Sequence, residues 1–314
     1  MVSLALGLLL VASFLVVLQR CRSSFAVNES LARQQDAARH ALSVLVPDIE
    51  HSGFFGFGRA PPLIGSLPAG IHACGTGFAT SLAVPAEGSD NVYRLGADAS
   101  DCAPTASSGG ARAGTDTLTL RHASSSTVAP RAGRLQLYSQ SLSLTASPVL
   151  FADGNAPGVV DAAHDIRDVE VRTYYIANDS VQRPGWPALR VKALTESRGA
   201  AQFRDEEILP GVEDLQVEIG VASFAADGTA RLSYVAPDST RARDGRVVAV
   251  RLWLRIRADV TEPGYLDGRS LAYANVVYAP TDAEAKQRRM LIERTVALRN
   301  APAVDGRLAA SAGP

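Results

Sequence analysis

The first eighteen residues, "MVSLALGLLLVASFLVVL", contain no charged residue and no proline. No basic residue precedes the apolar run, and a secretory signal peptide needs one there. Arg20-Cys21-Arg22 stands where a cleavage site would lie, and Gln19-Arg20 excludes the small residues a lipoprotein signal needs before its cysteine. The chain is also poor in cysteine, with Cys21, Cys74 and Cys102 only. No pair has C-x-x-C spacing, which leaves a zinc or redox motif unsupported. Cys74 and Cys102 bracket a stretch rich in Gly, Ser and Ala; they form a disulfide if the body lies outside the cytoplasm, and are two loop thiols if not.

Other absences exclude whole classes of function. Net charge is -1, so no overall basic field exists to hold nucleic acid. Only two basic residues, Lys192 and Lys286, are lysines. No G-x-S-x-G, H-E-x-x-H, P-loop or G-x-G-x-x-G is present. The histidines (His40, His51, His72, His122, His164) are scattered singly and read as surface residues. "RDEEIL" reads as a solvated turn, and neighbouring carboxylates in "VEDL" do not define an acid–base pair. No enzyme, cofactor or metal ligand set is expected.

What is present begins with a helix. Eighteen apolar residues span roughly 27 Å at about 1.5 Å each, close to a bilayer core of about 30 Å. Small residues Ser3, Ala5, Gly7, Ala12 and Ser13 allow close helix approach. Leu4, Leu8, Leu10, Val11, Phe14 and Leu15 supply the apolar surface. Beyond Gln19 the pattern becomes amphipathic. Leu31, Ala38, Leu42, Leu45 and Ile49 form one stripe, while Glu29, Arg33, Gln35, Asp36 and Arg39 point elsewhere. Pro47 is expected to kink or weaken the last turns, and Ser52-Gly53 to end them. The spacing thus predicts one helix of roughly fifty residues: 1–19 in a membrane and 20–53 as a stalk. Arg20, Arg22 and Arg33 follow the run, so by the positive-inside rule the body is cytoplasmic unless a segment outside this sequence sets the orientation.

Residues 54–300 read as an antiparallel β meander. "DTLTLRH" places Leu118 and Leu120 on one face. "RLQLYS" and "LSLT" alternate likewise, and "DVEVRTYYIA" sets Val169, Val171 and Thr173 against Glu170, Arg172 and Tyr174. "DLQVEIGV" aligns Leu215, Val217 and Ile219. "RVVAVRLWLRIRA" puts Val248, Val250, Leu252, Leu254 and Ile256 on one face. Its opposite row, with Arg251, Trp253, Arg255 and Arg257, is expected to be solvated, with a binding surface as the alternative reading. "RMLIERTVAL" gives a last strand. Turn signals such as Asp244-Gly245 and Asp267-Gly268 separate the runs. A long loop is expected at about 85–115 and a disordered tail at 301–314. A sheet with one apolar face needs a cover, and the helix stripe is the available one.

A membrane helix continuing into an amphipathic stalk and an antiparallel β head resembles a type IV pilin. "MVSLALGLLLVASFLVVL" is similar to the prepilin segment beyond the processing site. "ESLARQQDAARHALSVLVPDIEHSGFFG", "GTDTLTLRH", "LPGVEDLQVEIGV", "VVAVRLWLRIRA" and "RRMLIERTVALRN" resemble the minor pilins of the PilW family, in the same order along most of the chain. The resemblance implies an α+β pilin-like fold and a leader, processing site and glutamate lying before Met1, itself an internal methionine of the helix. Such a leader would hold the N-terminus in the cytoplasm and answer the orientation objection. It implies an inner-membrane protein with a periplasmic head, assembled into an extracellular pilus. Its implied partners are other minor pilins, the major pilin, the inner-membrane assembly platform and a tip adhesin. Two alternatives share the sequence features: a type II secretion pseudopilin, and a membrane-tethered binding domain that does not polymerise.

Overall fold

The computed structural model describes residues 2–57, 74, 77–95, 102–140, 148–225, 229–262 and 264–301. Helix α1 runs unbroken over Val2–His51. Leucine, alanine, valine and long polar side chains lose little rotamer freedom in a helix, and Gly7 is the single glycine in it. Pro47 lies inside the helix without interrupting it. Pro47 and Ser43, whose carbonyl it deprives of a partner, are both exposed, which leaves that carbonyl on the solvent side of the helix. Gly53 then takes a left-handed φ of 80° and its N–H donates to Arg121 O at 3.0 Å, turning the chain into the head.

The head holds two main sheets, antiparallel throughout. The first contains β1 (Ala86–Ser89), β2 (Thr117–Ala123), β3 (Ala132–Gln140), β4 (Val149–Asp153), β5 (His164–Ala177), β6 (Ala188–Ser197) and β7 (Ala200–Pro210). Its order is β1-β2-β5-β3-β4, with β6 joining β5 to β7. The second contains β8 (Val212–Phe224), β9 (Ala230–Val235), β10 (Arg246–Arg257) and β13 (Arg289–Ala297), in the order β13-β10-β8-β9; a short helix, α2 (Thr240–Asp244), precedes β10. β11 (Leu271–Tyr273) and β12 (Val276–Tyr278) form a separate hairpin. Among the described strands only β5-β6-β7 form a simple meander. The fourteen residues of β5 are enough to pair with β2, β3 and β6, which makes it the strand that organises the first sheet.

Two cores result. Ala38, Leu45 and Ile49 of the helix meet Leu118, Leu120, Tyr174 and Ile176 of the first sheet, and Leu215, Val217, Val250, Leu252 and Leu254 of the second. Val169 and Val171 face the other way, into a core with Leu135, Leu137, Phe55 and Leu82. The first sheet is therefore covered on both sides, which is why β2 is buried along its whole length.

Three local expectations differ from the structure. The outer row of β10 is not solvated: Arg255 is buried, its Nε and NH1 donating to Glu213 and Asp214 at 3.3 Å, under Tyr273 and Tyr278 of the β11–β12 hairpin. "RDEEIL" is not a turn but part of β7, where Asp205 accepts from Arg190 at 2.8 Å and Glu207 pairs with the same guanidinium. Within the span expected as a loop at 85–115, Ala86–Ser89 pair with β2. The "LSLT" segment and residues 302–314 of the expected tail lie outside the described residues.

Candidate assembly interface

The helix has two halves with different surroundings. From Leu6 to Ala26 every residue is exposed. An 18-residue window of this half has mean hydropathy 1.6 and no buried residue, so the helix is long and apolar enough to cross a membrane. Leu8, Leu10, Val11, Phe14 and Leu15 are each more than half exposed, and Ser3 and Gly7 are exposed beside them. The side chain of Leu4 lies outside the described residues. The helix satisfies its own backbone, and Ser13 Oγ donates to Leu9 O at 2.5 Å, so between Leu6 and Leu18 no polar side chain needs water.

The second half is seated on the head. Its buried line is Ser30, Gln34, Ala38, Ala41, Leu45 and Ile49. Leu42 packs on the same core from a partly buried position, whereas Leu31 is only half-buried and outside it. The start of the contact line is polar for a reason sequence periodicity does not weigh. Gln34 Nε2 donates to the Ile256 carbonyl at 2.6 Å, Ser30 Oγ donates to Asp259 at 2.9 Å, and Arg33 pairs with the same carboxylate. These bonds tie the helix to the end of β10 at the point where it leaves the head. Ala41 is fully buried in the same core.

At the other end of the seat stands Asp48, buried at 3 % exposure. One oxygen accepts from His122 Nε2 at 2.9 Å and from Arg172 NH1 at 2.7 Å; the other accepts from the Tyr174 hydroxyl at 2.8 Å. His122 Nδ1 lies 2.9 Å from the Ala123 carbonyl. A carbonyl and a carboxylate only accept, so both ring nitrogens donate and the ring is an imidazolium. Burial works against this charge, but the Asp48 hydrogen bond and charge outweigh it and hold the His122 pKa above its ordinary value. Burial likewise pushes the Asp48 carboxyl up, and His122, Arg172 and Tyr174 together bring it below the usual range. His122 is thus not the surface residue its sequence context suggests.

Asp48, His122 and Glu170 present ligand atoms within 4.8 Å of one another. Arg172 spans both carboxylates and the imidazole donates both of its hydrogens, so this chemistry suits an ion-pair hub rather than a metal ion. Elsewhere in the head, Cys74 and Cys102 are joined in a disulfide closing 28 residues, with Cα atoms 4.9 Å apart; Cys21 is a free, exposed thiol. Of the other histidines, His40 and His51 lie on α1, His164 pairs with Asp161 at 2.6 Å, and His72 lies outside the described residues.

Among solved structures, a type IV-like pilin from Thermus thermophilus is similar at 13% identity and a TM-score of 0.36, over 86% of this chain and 99% of that one. No curated protein matches the chain. The family comparison falls on the head: over residues 173–300, from the second half of β5 to just past β13, the chain matches the family of type IV pilus-assembly protein W.

Proposed function

We propose that this chain is a minor pilin: a non-catalytic subunit anchored in the inner membrane, with its head in the periplasm, that joins other minor pilins in a complex priming pilus growth at the tip. The observation that carries the reading is the division of α1. Leu6–Leu18 is apolar and uncovered, while Ser30–Ile49 is fixed to the head by hydrogen bonds and packing. A helix held this rigidly at one end cannot fold its free half back onto its own head. That half needs a bilayer or a bundle of similar helices, and burying it at about 25 cal/mol per Å² makes helix packing the main cohesive term. The head then decides which neighbours fit, among them the major pilin, the assembly platform and a tip adhesin.

The test is a clean deletion in the native host with complementation by this chain. Loss of surface pili, restored on complementation, with the protein present in both membranes and sheared pili, is expected. Intact pili with lost secretion of extracellular proteins would assign the chain to a secretion pseudopilus instead. Retention in the membrane with neither phenotype would favour a tethered domain that does not polymerise.

A further inference from the structure

Where α1 leaves the head, a small open pocket of about 150 Å³ lies between the helix, the end of β10 and the loop before β6. Arg33, Gln34 and Ala37 line it from the helix; Arg183, Trp186, Arg257 and Asp259 line it from the head, with Pro210 and Ile256 beside them. The indole of Trp186 is sandwiched between two guanidinium groups. Arg183 Cζ lies 3.5 Å and Arg257 Cζ 3.6 Å from the ring centroid. Two like charges are held face to face across one ring, an arrangement that cation–π attraction supports but that leaves the charges unneutralised.

The local acid does not neutralise them. Asp259 is taken up by Arg33 and Ser30 through its carboxylate, and Arg183 reaches only its backbone carbonyl, at 3.2 Å. Among the described residues no carboxylate pairs with Arg257, and its Nε is buried with no hydrogen-bond partner. Burial disfavours the Arg257 cation; the charge of Glu213 offsets part of this, and the charges of Arg289, Arg183 and Arg112 add to it. An unmatched, partly desolvated guanidinium facing an open pocket is the counterpart of an anion supplied from outside.

The kind of anion follows from the surroundings. A nucleobase has no free face of Trp186 to stack on. Asp259 in the wall repels a dianionic phosphate more strongly than a monoanionic carboxylate. Height excludes lipid headgroups. Gln34 follows Leu18, the end of the apolar run, by sixteen residues, or about 24 Å of helix. The headgroup layer on each side of a bilayer is only about 5–7 Å thick. Arg20 and Arg22 lie at that level; the pocket stands well above it.

We infer that the Arg183–Trp186–Arg257 pocket receives a carboxylate side chain of a neighbouring polypeptide, docked beside the point where the helix enters the head. Calling that neighbour a filament subunit rests on the proposed function; the binding itself does not.

The test uses the full chain in detergent micelles, titrated with an N-acetylated, C-amidated tetraglutamate peptide by calorimetry and by tryptophan emission. Trp253, the other tryptophan, is buried and leaves Trp186 as the responsive ring. Expected is saturable binding that weakens with added salt, is absent with tetraglutamine, and is lost at least tenfold in Arg257→Gln. Arg183→Gln, on the exposed side of the ring, should weaken it in parallel without touching the packed core. No saturable response, or wild-type affinity retained in either variant, overturns the inference. So does displacement of the peptide by equimolar inorganic phosphate or phosphatidylglycerol nanodiscs. A negative titration leaves the pilus reading standing, and a deletion without pilus phenotype leaves the pocket standing.

Discussion

Asp48 on the helix and Tyr174 on β5 are joined by a 2.8 Å hydrogen bond, with both residues buried. The bond lies 126 residues apart in sequence and connects the stalk to the strand that organises the first sheet. Removing the carboxylate would leave the Tyr174 hydroxyl and the His122 imidazolium buried without their acceptor. Breaking a buried pair from one side costs about 3 kcal/mol or more, whereas losing one hydrogen bond to a charged group costs about 1.5 kcal/mol. Asp48→Ala should therefore lower the unfolding free energy by roughly twice as much as Tyr174→Phe, read from urea denaturation of the full chain in detergent. Equal effects would mean that Tyr174, not the His122–Arg172 pair, is what Asp48 serves.

The same hub sets a pH window. The folded pKa of His122 is raised above its ordinary 6.5, so the stability it contributes is fully present below that value and is lost as pH rises through the folded pKa. The folded pKa of Asp48 is lowered from 3.8, so its contribution is present above that value and is lost as pH falls through the folded pKa. Between the two the hub contributes most. His122→Gln should flatten the alkaline arm of a stability–pH profile measured from pH 5 to 9. A wild-type profile with the same alkaline arm as His122→Gln would show that His122 is not charged in the folded state.

How much of this was legible beforehand depended on the range of the interaction. Leu118 and Leu120, or Val250, Leu252 and Leu254, announce a buried strand face because alternation is a property of neighbours in the chain. Arg255 did not, because its cover, Tyr273 and Tyr278, arrives from a hairpin about twenty residues on. Asp48 and His122 are 74 residues apart, and single-sequence periodicity treats both as ordinary polar residues. Ser30 and Gln34 were invisible as seat residues for the same reason: their partners are a carboxylate just past the end of β10 and a backbone carbonyl at that end, both distant in sequence. Arg183, Trp186 and Arg257 carry no shared motif, and only folding stacks them.

The Cys74–Cys102 bond anchors a segment lining the second core, next to Phe55 and Leu82. Closing a loop of 28 residues contributes roughly 3–4 kcal/mol on a chain-entropy account. Reduction with dithiothreitol, or Cys102→Ser, should shift the unfolding midpoint downward by a matching amount, and thiol titration of the unreduced, denatured chain should count Cys21 alone. Three reactive thiols in protein isolated from its host would contradict the pairing and with it an oxidising location for the head.

The exposed half of the helix makes demands that differ between a bilayer and a helix bundle, and two substitutions separate them. Leu10→Arg places a charge in the apolar run at a cost of about 3–4 kcal/mol for membrane insertion. It should reduce recovery in carbonate-washed membranes and in sheared pili alike. Gly7→Leu has a different logic. A Cβ at Gly7 meets nothing within 4 Å in the free chain, so the substitution is harmless to the fold and adds apolar surface that a bilayer accepts. A bundle that uses Gly7, beside exposed Ser3, as a point of close helix approach would be forced apart. Gly7→Leu should leave membrane recovery unchanged and lower the amount in sheared pili several-fold. Equal incorporation of Gly7→Leu and wild type would mean that the helix packs in the filament through its leucines and Phe14, with the small residues merely tolerated.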